Sequence, residues 1–415
     1  MKKSILRVLA VVLSVAMIVA CFAACGGKGK EEASSEESSA AAGGAAVEPG
    51  DNTLNIGVIG PLTGDTAVYG KAVQYGAQLA VDEVNAAGGI NGMKIAFKAE
   101  DDEGDPEKSV NAYNTLKDWG MDILVGTVTT NPCLAVADYT AQDNMFELTP
   151  SASAATVVEK GNNVFQVCFT DPNQGIASAD YISDNKLATK VGVIYNSQDA
   201  YSSGIHDKFI SEAKTKGLNI VSDEAFTTDN ATDFSAQLNA AKSGGAELIF
   251  IPIYAKEATS ILSQAKDLGI TAKFFGCDGL DGILGIDGFD TSLAEGVMLL
   301  TPFSANATDD ATVKFVKAYK AAGYDEANLN QFAADAYDAI YIIKAAAEKA
   351  VVKADMSVSD MGTALSKAMS EITVDGVTGT EMKWQATGEV NKTPKAIVIK
   401  NAEYIPMDSQ ESSTK

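Results

Sequence analysis

The sequence predicts an α/β protein of two similar lobes, each a parallel sheet covered by helices on both faces. Three observations predict it. The chain has 415 residues, 46% apolar and 21% charged, a globular composition at a length that favours two packed cores. Short apolar runs alternate with segments whose apolar residues recur every three or four positions, and strands alternating with helices imply a parallel sheet. The pattern also restarts midway. "TKVGVIYNSQDAYSSGIHDKFISEAKTKGLNIVSDEAF" (189–226) repeats the order of "LNIGVIGPLTGDTAVYGKAVQYGAQLAV…KIAF": strand, polar loop with a tyrosine near a glycine, helix, second strand.

Taken in order, the chain opens with a basic "MKKSILR", an apolar "VLAVVLSVAMIVA" and small residues before two cysteines. This reads as an export signal over 1–25 with a lipoprotein box. The apolar run is shorter than the roughly 20 residues of a bilayer span, which argues against a transmembrane anchor. Cys25 is the expected lipidation site, with Cys21 as the alternative. "GGKGKEEASSEESSAAAGGAAVEPGDN" (26–52) is Gly, Ser, Ala and Glu with little to bury, a flexible tether. Three cysteines remain beyond the signal, an odd number that disfavours a disulfide framework.

From Thr53 the folded part begins. "LNIGVIG" is a buried-type strand, and Tyr69, Val73, Ala77, Ala80 and Val84 mark one face of a helix ended by "AAGG". "KIAFKAED" is the next strand, followed by a helix with Asp105 as cap and Pro106 at its first position. "DILVG", a helix from about Pro132, and "MFELTPS" complete the first run. In the second, "ELIFIPI", a helix from Ala255, "KFFGCDG" and "GVMLLTPF" follow the repeated unit.

Charge and composition exclude several functions. A formal net charge of −23 opposes nucleic-acid binding. Arg7, in the export signal, is the one arginine, so no guanidinium clamp is available for a carboxylate or phosphate. One histidine, His206, is too few for common zinc sites and is expected on an exposed helix face. No cofactor or metal is expected. "IGPLTGDTAVYGKA" (59–72) lacks the Gly-Lys-Ser/Thr ending of a phosphate loop, and "DDEGDPE" lacks the ligand spacing of a calcium loop. The latter is expected to be a solvated loop carrying a helix cap.

In open parallel sheets ligands bind beyond the carboxyl ends of the strands. The loops there are "PLTGDTAVYG", "GTVTTNPC" and "TPSASAA" in the first lobe, and "YNSQDAYSSG", "PIYAKEA" and "CDGLDG" in the second. Hydroxyls and helix N-termini can hold a small carboxylate. Asp278 can hold an ammonium, and tyrosines can line an apolar pocket. Together they suit a free amino acid with an uncharged side chain.

The stretch "IGVIGPLTGDTAVYG…GAQLAVDEVNAAGGINGMKI…EDDEGDPEKSV" resembles the substrate-binding proteins of branched-chain (leucine/isoleucine/valine) amino-acid ABC importers. The likeness runs from about residue 55 to 398. It implies the type I periplasmic-binding-protein fold: two Rossmann-like lobes joined by a three-strand hinge and closing like a Venus flytrap. Lobe 1 is then 53–171 plus 302–379, lobe 2 is 172–301 plus 380–406, and 407–415 is a disordered tail. The family's first-lobe hydroxyl falls on Thr130, where serine is more usual. Its carboxylate- and ammonium-holding turn falls on Ser151 and Ser153, the latter in place of threonine. The aromatic covering the ligand side chain falls on Tyr69, and the second-lobe tyrosines fall on Tyr201 and Tyr254. The acidic ammonium partner, commonly glutamate, falls on Asp278, a shorter residue that leaves the preferred side chain open. The resemblance implies a monomeric lipoprotein on the outer face of the membrane, with no enzymatic activity, delivering its ligand to a permease and ATPase. A binder of another small ligand (an amide, urea or an aromatic acid), a sensory role, and an extracellular hydrolase using Ser151 or Ser153 are the alternatives.

Overall fold

The computed structural model describes residues 46–407. The export signal, both candidate lipidation cysteines, most of the tether and the tail after Met407 lie outside the described residues. The first sheet carries β1 (Thr53–Gly60), β2 (Lys94–Asp101), β3 (Ile123–Gly126), β4 (Phe146–Thr149) and β5 (Val164–Gln166) in the order β2-β1-β3-β4-β5, all parallel. Between them run α1 (Ala67–Ala86), α2 (Pro106–Trp119), α3 (Thr130–Asp143) and the short α4 (Ala155–Val158). The inner strands β1, β3 and β4 are fully buried at their centres, as sheets covered on both faces require.

The second half repeats this order. α5 (Asp171–Asp184) leads into β6 (Lys190–Asn196), α6 (Ala200–Thr215), β7 (Asn219–Phe226), α7 (Ser235–Gly244), β8 (Leu248–Ile251), α8 (Ala255–Asp267), β9 (Lys273–Gly276) and β10 (Met298–Thr301). The sheet order β7-β6-β8-β9-β10 matches that of the first sheet strand for strand. It is then extended by β11 (Lys395–Lys400) and β12 (Glu403–Pro406), which are antiparallel. Neither sheet's parallel core was altered by this addition, but the second sheet is mixed at its edge.

Three further helices, α9 (Asp310–Ala321), α10 (Gln331–Ala350) and α11 (Val358–Met369), return to the first sheet's side. α10 packs so closely on α1 that a Cβ at Gly76 would stand 1.9 Å from Ala333 O. The stretch around Trp384 also lies there, because Trp384 Nε1 donates to Gln166 O at 2.8 Å and Gln166 N donates to Gly388 O at 3.1 Å. The expected switch between lobes near residue 380 thus falls within chain packed beside β5, and the second sheet is rejoined at β11. Among the described residues the chain passes between the two sheets at residues 167–170, 302–309 and 393–394. Lys392 stands at the last passage, buried, 2.8 Å from Asp335 Oδ1 and 2.6 Å from Thr378 Oγ1.

Local signals behave as chemistry dictates. Asp105 caps α2 by accepting from Glu107 N and Lys108 N, both at 2.9 Å, with Pro106 behind it. α3 starts at Thr130, slightly earlier than expected.

Two expectations need correction. "DDEGDPE" is more than a solvated loop. Asp101 accepts from Leu62 N at 2.9 Å and Thr63 Oγ1 at 2.6 Å, pinning the loop after β1, and Asp102 is wholly buried. His206 is buried rather than exposed. Its ring stacks on Tyr195 at 3.7 Å, and its nitrogens lie 3.0 Å from Asp207 Oδ1 and 2.9 Å from Asp223 Oδ1. It extends the buried face of α6 set by Tyr201, Ile205 and Phe209.

Candidate functional site

The loops at the carboxyl ends of the two sheets meet, and the seven residues expected to bind ligand come together where they do. Tyr69 sits on the first turn of α1, held in place by the loop that Asp101 pins. Its ring lies 4.6 Å from Phe332 and 5.6 Å from Tyr254, centroid to centroid. Its hydroxyl reaches the other lobe, donating to Gly279 O at 2.6 Å and accepting from Ala255 N at 2.7 Å. Tyr254, which precedes α8, stacks on Tyr201 at 4.9 Å and 13°. Burial holds the Tyr254 phenol well above its ordinary range, opposed in part by the nearby backbone amide of Thr130, the first residue of α3. Asn131 adds a second tie across the same gap, accepting from Ala200 N at 3.2 Å.

Asp278 follows β9 at the floor of the second lobe and is 3% exposed. Tyr201 Oη donates to its Oδ1 at 2.8 Å, and its own N–H donates to Gln174 Oε1 at 3.1 Å. Burial, with some help from the Asp335 charge, raises its carboxyl to about 7 against these hydrogen bonds. Gly279 is required beside it, since a Cβ there would meet Tyr201 Oη at 2.6 Å.

On the first lobe, Ser151 Oγ donates to Val128 O at 2.7 Å, so its proton serves the loop. Ser153 and Thr130 are buried, and Ser153 Oγ has no hydrogen-bond partner within the protein. Facing Ser153 is a residue the sequence reading missed. Asp171, the first residue of α5, is 1% exposed, and neither of its carboxylate oxygens has a hydrogen-bond partner. Its backbone N–H donates to Ser153 O at 2.9 Å. Burial pushes the Asp171 carboxyl well above the usual carboxylate range; the nearby Ser153 hydroxyl, outside hydrogen-bonding geometry, opposes this in part, and the Asp278 and Asp199 charges push it further. Gln174 Nε2, one turn along the same helix, and Thr129 Oγ1 are likewise buried and unpartnered.

A buried polar group without a partner costs about 1–3 kcal/mol, and more when charged. Four such side chains lie where the two lobes meet: Thr129, Ser153, Asp171 and Gln174. They offer the Thr129 and Ser153 hydroxyls from the first lobe and a carboxylate and an amide from α5, with the site's tyrosines beside them. That arrangement can hold a small molecule carrying both an anion and a cation. The one sequence signal for Asp171 is its place before Pro172 at a helix start. Phe332, at the start of α10, carried no signal, since its partner Tyr69 is remote in sequence.

Other chemistries find less here. Among the described residues, no group of three His, Cys, Asp or Glu side chains could hold a metal. Cys133, Cys168 and Cys277 are buried and free. No described helix is long and apolar enough to cross a membrane.

The fold is shared with known proteins. The family model described as periplasmic binding protein matches residues 53–399. The Leu/Ile/Val-binding protein homolog 3 of Brucella melitensis is 33% identical over 322 residues, covering 77% of this chain and 83% of the relative. Among solved structures, the branched-chain amino-acid transporter substrate-binding protein LivJ of Streptococcus pneumoniae, in complex with isoleucine, is 27% identical with a TM-score of 0.76. The match covers 85% of this chain and 97% of that one. The leucine-binding protein LivK of Thermotoga maritima is 25% identical with a TM-score of 0.75, covering 86% of this chain and all of the other (100%).

Proposed function

The chain belongs to the periplasmic binding protein family, among the substrate-binding proteins of branched-chain amino-acid ABC transporters, and we propose that it captures a neutral aliphatic amino acid between its lobes. The observation that carries this reading is the pairing of unpartnered buried carboxylate and hydroxyl groups across one cleft, Asp171 with Ser153, next to Asp278. A zwitterion satisfies both kinds. Its ammonium is held by Asp278 and Asp171 through charge-assisted hydrogen bonds. Its carboxylate takes Ser153, Thr130 and backbone donors of the 151–153 turn. Tyr69, Tyr201 and Tyr254 wall the side chain, and Ser151 shapes the turn from behind.

Binding favours closure because only the closed form lets both lobes touch the ligand at once. The wall is aromatic and its charges are all acidic, which suits an uncharged side chain and opposes an acidic one. Ser151 directs its proton to a carbonyl, an arrangement suited to binding rather than nucleophilic attack. The protein is exported, anchored as a lipoprotein through Cys25 or Cys21, and delivers its ligand as a monomer to an ABC permease and its ATPase. A thermal-shift screen of the full chain against the twenty amino acids tests the ligand class. Stabilisation by leucine, isoleucine or valine above the rest is expected, and a flat response across the aliphatic set would sink it.

A further inference from the structure

We infer that the Tyr69 hydroxyl is a closure latch: a group of the first lobe that binds backbone atoms of the second only when the lobes are together. The inference rests on the reading above for what closure encloses, and it adds a role that wall packing does not include. Tyr69 is 1% exposed, and both hydrogen-bonding capacities of its phenol are spent on the opposite lobe. It donates to Gly279 O at 2.6 Å and accepts the N–H of Ala255 at 2.7 Å. Neither acceptor nor donor belongs to a flexible side chain. Ala255 N–H is the first of α8, one of the amides that a helix leaves without an internal partner. Gly279 lies in the tight turn after β9.

The same peptide links the latch to the ammonium-holding end. Gly279 N–H donates to Tyr201 Oη at 2.8 Å, and Tyr201 Oη donates to Asp278 Oδ1 at 2.8 Å. A run of hydrogen bonds therefore extends from Ala255 through Tyr69, Gly279 and Tyr201 to Asp278. Seating Tyr69 fixes Gly279, and Gly279 fixes the tyrosine that orients the carboxylate. Opening exposes the Ala255 amide, the Gly279 carbonyl and the phenol to water together. Removing the hydroxyl leaves two backbone groups buried and unpaired in the closed form alone, so the lesion weighs on opening rather than on first encounter.

The test uses the full chain, wild type, Tyr69→Phe and Ala255→Pro. Proline suits the first position of a helix, and Tyr254 before it already has φ −76° and ψ 160°, the extended geometry a proline demands. Its ring carbon takes the place of the amide hydrogen, so the phenol cannot seat. Stopped-flow release of the amino acid that stabilises the wild type most, and small-angle scattering with and without it, are the readouts, with melting curves verifying the fold. Tyr69→Phe is expected to release ligand roughly tenfold faster or more, with association unchanged, and Ala255→Pro at least as fast. A more open scattering profile in ligand-free Tyr69→Phe than in wild type equally supports the latch. Wild-type release rates and scattering in Tyr69→Phe overturn it, as does an effect in Tyr69→Phe that Ala255→Pro lacks. If no amino acid binds wild type, the ligand reading fails, while the ligand-free scattering still decides the latch.

Discussion

Tyr201 Oη donates to Asp278 Oδ1 at 2.8 Å while receiving the N–H of Gly279 at 2.8 Å. One phenol thus fixes a buried carboxylate and the turn that carries it. The carboxylate is oriented before any cation arrives, which lowers the cost of ordering it on binding.

Asp278→Ala is therefore expected to weaken amino-acid binding by about 2–5 kcal/mol, because it leaves a desolvated ammonium short of its partner. Titration calorimetry on the best ligand measures this. Undiminished affinity would remove Asp278 from the site.

Protons should compete with the ligand. Burial raises Asp278 to about 7, so below that pH the carboxyl holds a proton that an ammonium must displace. Affinity is expected to rise with pH up to about 7 and then level off, with proton release on binding. Calorimetry in two buffers of different ionisation enthalpy at pH 6.5 detects that release, and identical heats would contradict it.

Ligand-free stability should run the other way. Asp102 and Asp199 are raised to about 6, and Glu147, Asp278 and Asp281 to about 7, in each case first by burial. Their folded values lie above the unfolded ones, so their protonated forms stabilise the fold fully below about pH 4, and this is lost as pH rises to 7. The melting temperature of ligand-free protein is expected to fall between pH 5 and 8. A rise across that window would refute the burial argument.

Asp171→Asn should separate stability from binding. The carboxylate is 1% exposed and unpartnered, so its neutral isostere raises the ligand-free melting temperature at pH 8 while weakening the amino-acid complex. A melting scan and a titration on one preparation read both. Loss of stability together with unchanged affinity would show that Asp171 only braces α5.

Lys392→Met removes the cation that Asp335 and Asp338 face at the last passage between the sheets. Breaking a buried pair from one side costs about 3–5 kcal/mol. Denaturant unfolding should show that loss at pH 8 and a smaller one in acid, because burial raises both carboxyls and so favours their neutral forms once the cation is gone. An equal loss at both would point to packing alone.

Much of this was legible in the residues. Strand–helix alternation and the restart near 189 announced two parallel sheets, and the strand orders proved identical through β5 and β10. The loops at strand ends named Tyr69, Tyr201, Tyr254 and Asp278, the family resemblance added Thr130, Ser151 and Ser153, and these converge. Such features are local: periodicity is set by which face a strand or helix buries, and loop chemistry follows directly after the strand. Asp105 as a cap was readable for the same reason.

What only the tertiary structure decided depends on partners far along the chain. Tyr69 Oη meets Gly279 O from 210 positions away, and Trp384 meets Gln166 from 218. No local pattern encodes either. Asp171 opens α5, yet its oxygens find no backbone amide. His206 looked like a surface residue, yet α6 turns it between two carboxylates and Tyr195. A residue's type and its neighbours in sequence fix what chemistry it can offer. Whether that chemistry is satisfied, buried or left seeking a partner depends on which distant backbone and side-chain atoms folding brings to it, since desolvation and hydrogen bonding act through space.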